Sequence, residues 1–164
     1  MPLLQPSITI THAAYALYPD PPRHARLAAV SLPQVNFPRR DPAKLKIALE
    51  NTYALVWVRS TKQSRLARLG QMVGFARATS DGVLSATIWD VAVMPAWQRS
   101  GLGRAMMERL TRQLVANGIP TITLYAEPNV VAMYERLGFV KDPEGIKGMA
   151  FQKQKKELAL SSRR

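Results

Sequence analysis

A short segment with two glycines and two arginines carries the clearest chemical signal in the sequence. It spans residues 91–104 and joins an apolar run to a stretch with helical spacing. The first turn of a helix has four amides without intrahelical acceptors, and the helix dipole favours an anion there. Gly101 and Gly103 would let a bulky phosphate approach the backbone, while Arg99 and Arg104 add positive charge. The segment therefore predicts a site for a pyrophosphate.

Other interpretations of the two glycines remain open from the residues alone. A glycine-x-glycine before a helix is also typical of a flexible turn into an ordinary helix. The segment lacks the Gly-Lys-Ser/Thr ending of a Walker A loop. A Rossmann site would require a third glycine and an acidic residue about 20 positions later, after a strand, and neither fits well.

Two carboxylates are candidates for acid–base chemistry. Asp90 is the sole charge within an apolar run, and burial without a partner disfavours the ionised form of a carboxylate, which suits a proton acceptor. The alternative is a structural carboxylate bonded to a loop or to a cation. Glu127 ends a predicted strand, where it is either a second acidic group of the site or an ordinary exposed strand end. Together, the two carboxylates would attract a cationic ligand into a basic protein.

Several separated motifs resemble one enzyme superfamily. Gln98-Arg99-Ser100-Gly101-Leu102-Gly103 resembles the Gln/Arg-x-x-Gly-x-Gly/Ala acetyl-CoA signature of the GNAT N-acetyltransferases, and Tyr134-Glu135-Arg136-Leu137-Gly138-Phe139 resembles their Tyr-x-x-x-Gly-Phe segment. Residues 74–81, 88–91 and 142–149 resemble the plastid and cyanobacterial branch that includes serotonin N-acetyltransferase. The resemblance covers about residues 36–151 and follows the expected order along the chain.

The resemblance implies a fold and a reaction. The fold would be α/β, a single GNAT-type domain whose mixed central sheet has splayed parallel strands and flanking helices. The strands at 83–94 and 121–127 would part, and the pantetheine arm of acetyl-CoA would lie between them. The reaction would transfer acetyl directly to the primary amine of an arylalkylamine such as serotonin or tryptamine, in a ternary complex. The alternative acceptors are protein lysines or N-termini.

The resemblance also implies a role for individual residues. Asp90 and Glu127 would share the base and amine-binding duties, and the Tyr134 hydroxyl would protonate the departing thiolate, unless it is a core aromatic. Asn129 would lie near the pantetheine or only cap a helix. The cofactor-binding set is Val91, Ala92, Val93, Gln98, Arg99, Ser100, Gly101, Leu102, Gly103, Arg104, Asn129 and Tyr134.

Three other features bear on the acceptor pocket. Thr121 departs from the larger amide-bearing residue of some branch members, which leaves the shape of the amine pocket open. Phe37 and Pro38, before Arg39 and Arg40, resemble a loop of the branch that borders the acceptor site. The tryptophans could line an aromatic-amine pocket, although tryptophans in strands more often lie in the core; they are Trp57, Trp89 and Trp97.

The elements that would position these residues follow from periodicity and turn residues. Leu102, Met106, Leu110 and Leu114 recur every four positions, which predicts a helix from about Gly101 that ends before Gly118 and Pro120. Other helices are predicted near Arg23, from Pro42 with Asp41 as N-cap to about Asn51, and from Asn129 to Leu137. Predicted strands lie at 7–11, 53–58, 72–79, 83–94, 121–127 and within 146–152, and residues 59–68 are predicted to be an exposed basic loop.

Composition limits the class of protein. At 164 residues, 47% hydrophobic and 21% charged, the chain has the size and balance of one globular domain rather than of a disordered or collagen-like protein. We expect the domain to occupy residues 1–151, with a variable stretch of about 20 residues at its start, and a basic tail to occupy 152–164. The apolar runs are shorter than the roughly 18 residues that a membrane span needs, so no membrane association is expected.

Charge and cysteine content limit the partners. The net charge of +12 favours a polyanionic partner such as a phosphate-bearing cofactor or nucleic acid. Nucleic acid is the remote alternative, because no zinc-finger or RNA-recognition signature accompanies the charge. The chain has no cysteine, and His12 and His24 lack carboxylate companions, so no metal site is predicted. We expect a monomer or homodimer in the bacterial or cyanobacterial cytoplasm or the plastid stroma.

Overall fold

The protein is built on one mixed sheet. A computed structural model describes the backbone of residues 8–14 and all of residues 41–149. The strands of the described residues are β1 (Ile8–Ala14), β2 (Ala54–Ser60), β3 (Met72–Ser80), β4 (Ser85–Val93) and β5 (Thr121–Leu124). They lie side by side in that order. The pairs β1–β2, β2–β3 and β3–β4 are antiparallel, and the pair β4–β5 is parallel. The predicted mixed sheet of an α/β domain is therefore confirmed.

Helices cover both faces of the sheet. The described helices are α1 (Pro42–Glu50), α2 (Leu102–Ala116) and α3 (Val131–Glu135), with 3₁₀ turns at Pro95–Trp97 and Pro143–Gly145. The Asp41 carboxylate accepts a hydrogen bond from the Ala43 amide at 2.9 Å, and Pro42 occupies the first turn. The predicted start of α1 is therefore confirmed, because this cap satisfies an amide that the helix leaves free.

The larger core lies between α2 and the sheet. All four residues of the predicted period-four stripe are buried, together with Met107. They pack against Val56, Val58, Val73, Ala76, Ala78 and Ile88 of the three central strands. A second, smaller cluster on the other face joins Leu45 of α1 to Trp57, Met72, Phe75 and Ala92. Burying each large aliphatic side chain contributes about 1.5–3 kcal/mol to the free energy of folding. Packing against α2 therefore stabilises the strands that carry the site.

Gly74 allows α2 to approach β3. A Cβ atom at this position would lie 2.6 Å from the Met106 Sδ atom and 3.5 Å from Leu102 Cδ2. Both side chains are buried. A glycine is therefore required at this crossing of helix and strand, and it determines how closely the start of α2 sits against the sheet.

Three predicted boundaries differ from the structure. The predicted strand at 121–127 ends at Leu124, because the alternation continues in the sequence after the pairing with β4 has stopped. Helix α3 covers Val131–Glu135 rather than 129–137, and its N-cap is Val130 without a side-chain hydrogen bond, so the prediction of Asn129 as cap was wrong. Residues 146–149 are not a strand, and 150–152 lie outside the described residues.

Some predictions fall on parts of the chain that the structure does not describe. They are the helix near Arg23, the segment from Phe37 to Arg40, His24 and the basic tail at 152–164. Of the predicted first strand, residues 8–11 are confirmed within β1. Across the described ranges, no helix is long and apolar enough to cross a bilayer.

The loop between β2 and β3 is exposed, as predicted, although it begins after Ser60 because β2 extends to that residue. Side chains form hydrogen bonds to its backbone. The Ser64 hydroxyl accepts hydrogen bonds from the Leu66 and Ala67 amides at 3.2 and 3.1 Å. The Gln71 side chain accepts one from the Arg68 amide at 2.8 Å. Three cations of the loop are exposed, namely Lys62, Arg65 and Arg68. The loop therefore presents positive charge on a defined backbone.

Candidate active site

The junction between β4 and α2 has the geometry of an anion site. Helix α2 begins at Leu102 without any side-chain cap, and its N-cap Gly101 has a left-handed φ of 84°. Nothing lies within 4 Å of the place where a Cβ of Gly101 would stand. The first amides of α2 therefore have no side-chain cap at the positive end of the helix dipole, a place that favours a phosphate group.

The side chains of the junction brace its backbone. The Gln98 amide nitrogen donates to the Val93 carbonyl at 3.1 Å, and the Ser100 hydroxyl donates to the Trp97 carbonyl at 2.6 Å. Arg99 is held at a left-handed φ of 59°, which is uncommon outside glycine. Gln98 and Ser100 would thus serve a ligand through the loop shape and their amides rather than through their side chains.

Two arginines of the predicted cofactor set flank the start of α2. The Arg104 guanidinium donates to Glu108 one turn later at 2.7 Å, and both side chains are substantially exposed. Arg99 is exposed as well. An exposed ion pair of this kind contributes less than about 1 kcal/mol and is easily exchanged, so Arg104 can turn towards an anion.

Beside this junction, β4 and β5 part. Their parallel pairing runs from Ser85–Thr121 to Ile88–Leu124 and then stops. The rest of β4, including Val91, Ala92 and Val93, continues without β5 beside it. The splay that the resemblance implied is therefore present, and it opens a backbone edge next to the start of α2.

Asp90 lies in an irregularity of β4. The register between β3 and β4 shifts between Phe75 and Arg77, and Asp90 has a left-handed φ of 53°. Its carboxylate accepts a hydrogen bond from the Arg77 Nε atom at 2.6 Å, within an ion pair whose side chains are 14% and 10% exposed for Arg77 and Asp90. Of the two alternatives that the sequence left open for Asp90, the structure has the carboxylate bonded to a cation, because the strand next to it supplies a guanidinium. Arg77 was not among the predicted site residues, although it lies within residues 74–81, which resemble the plastid and cyanobacterial branch.

Glu127 and Tyr134 form the other half of the candidate site. Tyr134 is 7% exposed, and its ring packs edge to face against Phe139 with centroids 5.9 Å apart. Burial raises the pKa of the Tyr134 phenol above its ordinary value of 10.0, and the negative charge of Glu127 raises it further. Glu127 is exposed, beyond the end of β5. The structure thus brings a carboxylate into electrostatic range of a phenol that keeps its proton.

Helix α3 reaches the phosphate junction as well. A Cβ at Gly103 would be 3.7 Å from Val93 and 3.9 Å from the Met133 Sδ atom, which is ordinary contact. Met133 precedes Tyr134 on α3. The ends of β4 and α3 therefore meet around the first turn of α2, and the nearby Asn129 is exposed.

An aromatic pair lies next to Asp90. Trp89 is 38% exposed, and its indole nitrogen donates to the Thr79 hydroxyl at 2.9 Å. The Tyr125 ring, 63% exposed, lies 5.7 Å from it. Trp57 and Trp97 are buried, as is usual for core tryptophans. Tyr125 was missed by sequence reasoning, although the alternation of residues 121–127 places it on the same face as the exposed Thr121 and Thr123.

No cluster of three or more His, Cys, Asp or Glu side chains that could hold a metal ion occurs in the described ranges. His12 belongs to β1, opposite Val56.

Comparisons with known proteins agree with this geometry. Residues 14–139 match the model of the acetyltransferase (GNAT) family. The chain is 55% identical over 117 residues to GCN5-related N-acetyltransferase 1, chloroplastic, of Arabidopsis thaliana, an alignment that covers 71% of this chain and 56% of the relative. It is 46% identical over 129 residues to serotonin N-acetyltransferase 2, chloroplastic, of Oryza sativa subsp. japonica, covering 79% and 62%. The chain thus spans about three fifths of the length of these plant relatives.

The fold matches solved structures too. A probable acetyltransferase from methicillin-resistant Staphylococcus aureus superposes with a TM-score of 0.70 at 16% identity, covering 89% of this chain and 99% of that one. At that identity the likeness concerns the fold alone. The match to the family model covers more than half of the chain and includes both the phosphate junction and Tyr134. The chain belongs to the GNAT family of acetyltransferases.

Proposed function

We propose that this acetyltransferase uses acetyl-CoA and transfers the acetyl group to the primary amine of an arylalkylamine such as serotonin or tryptamine. One observation carries the proposal: β4 and β5 part after Ile88–Leu124, next to the uncapped first turn of α2. This arrangement offers a backbone edge for the pantetheine amides and helix amides for the pyrophosphate. Gly101, Gly103, Arg99 and Arg104 would hold the phosphates, and Val91 and Val93 the arm.

The chemistry requires a proton acceptor and a proton donor. A bound thioester supplies an electrophilic carbonyl carbon and a thiolate leaving group. An amine arrives protonated, and only its lone pair attacks, so a carboxylate must take up the ammonium proton. As the C–N bond forms and the C–S bond breaks, the Tyr134 phenol would give its proton to the departing sulfur. The acylated nitrogen still carries one proton more than an amide, and that proton would restore the phenol. Glu127 is exposed and can accept the amine proton, directly or through water.

The acceptor class is supported by the surroundings of Asp90. Trp89, the residue before Asp90 in the chain, forms an exposed aromatic pair with Tyr125, and an arylalkylamine has an aromatic ring close to its ammonium group. The name of the rice relative specifies serotonin as its acceptor. The names of both plant relatives specify the chloroplast, which supports a plastid or cyanobacterial-type location for this protein.

A substrate panel tests the proposal. Purified protein is incubated with acetyl-CoA and serotonin, tryptamine, an aliphatic amine or lysine-containing peptides, and release of CoA is followed. We expect turnover of the arylalkylamines, with the aliphatic amine slower at equal concentration. Turnover of peptides alone would establish the alternative, a protein lysine or N-terminal acetyltransferase. If calorimetry detects no binding of CoA, both the proposed cofactor and the proposed reaction are refuted.

A further inference from the structure

The backbone of Asp90 has an unfavourable conformation, which persists only if surrounding contacts stabilise it. A left-handed residue other than glycine is uncommon, and Asp90 is held at a φ of 53° in the middle of a strand. An irregularity of this kind turns a side chain away from the regular alternation of the strand. It is found in β4 at the point where β5 has just departed. The local conformation is therefore specific to the place where an acceptor would bind.

Arg77 is the neighbour that holds this carboxylate. It faces Trp89 across the β3–β4 ladder, and it lies two positions after Phe75, which belongs to the cluster on the sheet face away from α2. Its Nε atom is 2.6 Å from Asp90 Oδ2. A guanidinium offers its donors in a rigid planar arrangement, so it fixes the orientation of a carboxylate as well as its charge.

The burial of this pair argues for a role beyond stability. Its side chains are 14% and 10% exposed, whereas those of Lys46–Glu50 and Arg104–Glu108 are 39% exposed or more. Removing two charges from water is costly, and an apolar pair of similar volume would often stabilise a fold equally well. A buried ion pair retained at a strained residue beside the candidate site therefore suggests that the geometry of the carboxylate is what matters.

We infer that Arg77 is a positioning residue for the acetyl-transfer reaction: it orients the Asp90 carboxylate at the parting of β4 and β5 so that this carboxylate receives the ammonium group of the acceptor. The inference rests on the proposed function. It divides the work of the two carboxylates, with Asp90 orienting the amine and the exposed Glu127 taking up its proton. Arg77 itself is not expected to contact acceptor or cofactor.

A double-mutant cycle tests this inference. Arg77→Met, Asp90→Asn and the double variant are assayed with the acceptor that the wild type acetylates fastest. We expect Arg77→Met to lower kcat/KM for the amine by about 10- to 100-fold, the scale of a carboxylate displaced by about 1 Å. In the Asp90→Asn background the same change should cost less than about twofold, because the side chain through which Arg77 acts is already altered. Binding of CoA should stay within about twofold throughout, since the helix amides that hold it are unchanged.

Two further variants separate positioning from general damage. Arg77→Lys keeps a cation but not the planar donors, so it should recover part of the lost activity. Arg59→Met removes a cation that lies over the Trp57 ring, 5.4 Å from its centroid, on the same sheet, and it should leave the amine parameters unchanged. Thermal unfolding of each variant is measured alongside. Should Arg77→Met fail to fold, the cycle is run with Arg77→Lys.

The possible results are distinguishable. Equal losses from Arg77→Met in both backgrounds, or a wild-type rate in Arg77→Met, would overturn the inference. A wild type that acetylates peptides but no arylalkylamine would overturn the proposed acceptor instead, and the cycle is then run on the peptide. A purely structural role for Arg77 would lower the unfolding temperature and raise the KM for CoA together, without coupling to Asp90.

Discussion

At the scale of single residues, Tyr134 is affected by burial and by a neighbouring carboxylate, and both act on the same proton. The pKa of its phenol is raised first by desolvation and then by the charge of Glu127. Each effect disfavours the phenolate. The phenol therefore stays protonated, and available as a proton donor, to a higher pH than a solvent-exposed tyrosine would.

Replacing Tyr134 by Phe should lower kcat by about 100-fold or more, the usual contribution of a positioned acid. Affinity for CoA should change little, because the ring and its packing on Phe139 remain. Steady-state kinetics and calorimetry measure the two effects. Tyr53→Phe is the matched control, since the Tyr53 hydroxyl lies 3.4 Å from the Asn117 amide at the far end of α2. A loss of rate below pH 10.0 that vanishes in Tyr134→Phe would contradict the raised pKa.

Because of Asp81, the stability of the protein should depend on pH in the acidic range. Its carboxylate accepts hydrogen bonds from the Val83 and Leu84 amides, both at 2.8 Å, and from Ser85, and these bonds lower its pKa below 3.8. A group with a depressed folded pKa stabilises the fold above its unfolded pKa, and this stabilisation is lost as the pH falls through the folded value. The difference in unfolding temperature between wild type and Asp81→Asn should therefore be largest near neutrality and shrink below pH 3.8. Glu50→Gln, on the exposed side of α1, controls for the loss of a negative charge.

At the scale of elements, the sequence was most informative where one regular signal decides the structure. The period-four stripe identified α2 because a helix of that length buries the same face at each turn. The glycines and the apolar run before them predicted a strand, a loop and a helix start, and the structure has β4, a 3₁₀ turn and the uncapped start of α2 there. The sequence could not show the Arg77–Asp90 pair, because a contact between strands depends on a register shift that neither strand reveals alone. The alternation of apolar and polar residues likewise predicted a strand that extends beyond Leu124. That pattern contains no information on whether the neighbouring strand continues to pair.

Replacing Gly101 by Val should weaken CoA binding at least tenfold. The left-handed φ of 84° costs a residue with a Cβ about 1–2 kcal/mol, and relieving that strain would turn the first amides of α2 away from the ligand. Gly118→Val is the control, since Gly118 has a similar left-handed φ of 82° and open space around its Cβ position but lies at the opposite end of α2. Calorimetry with CoA compares the two, and equal affinities would show that the amides do not hold the phosphates.

Gly74→Ala should destabilise the fold by about 1–3 kcal/mol, the usual effect of overpacking a core. The new Cβ would be 2.6 Å from the Met106 Sδ atom. Met106→Ala removes that atom, so the double variant should be more stable than the sum of the two single effects implies. Urea unfolding of the four proteins measures the coupling, and simple additivity would show that the two residues do not compete for space.

At the scale of the whole molecule, charge is the dominant feature. The chain carries a net +12, and the loop between β2 and β3 adds exposed cations at the end of the sheet where β4 meets α2. The loop touches that junction through the Gln71 amide nitrogen, 3.6 Å from the Met94 sulfur. A field of this sign speeds the encounter with a polyanionic cofactor more than it strengthens the final complex.

The association rate of CoA should consequently fall about tenfold or more as salt is raised, while its dissociation rate changes far less. Stopped-flow measurements over a series of NaCl concentrations give both rates. Dephospho-CoA, which lacks one phosphate, should show a shallower dependence and serves as the control. Identical slopes for the two ligands would mean that the charge of the protein does not guide the encounter.

In the proposed complex, the end of β4 that β5 does not cover would become more rigid when acetyl-CoA binds. Because the pairing with β5 stops after Leu124, the end of β4 has no strand beside it on that side within the described residues. An arm that contains amide bonds can take the position of the missing neighbour, so that the ligand completes the sheet as an additional strand would. Binding of the arm and stiffening of this strand edge would then occur together. Slower deuterium uptake by residues 91–93 in the presence of CoA would measure both.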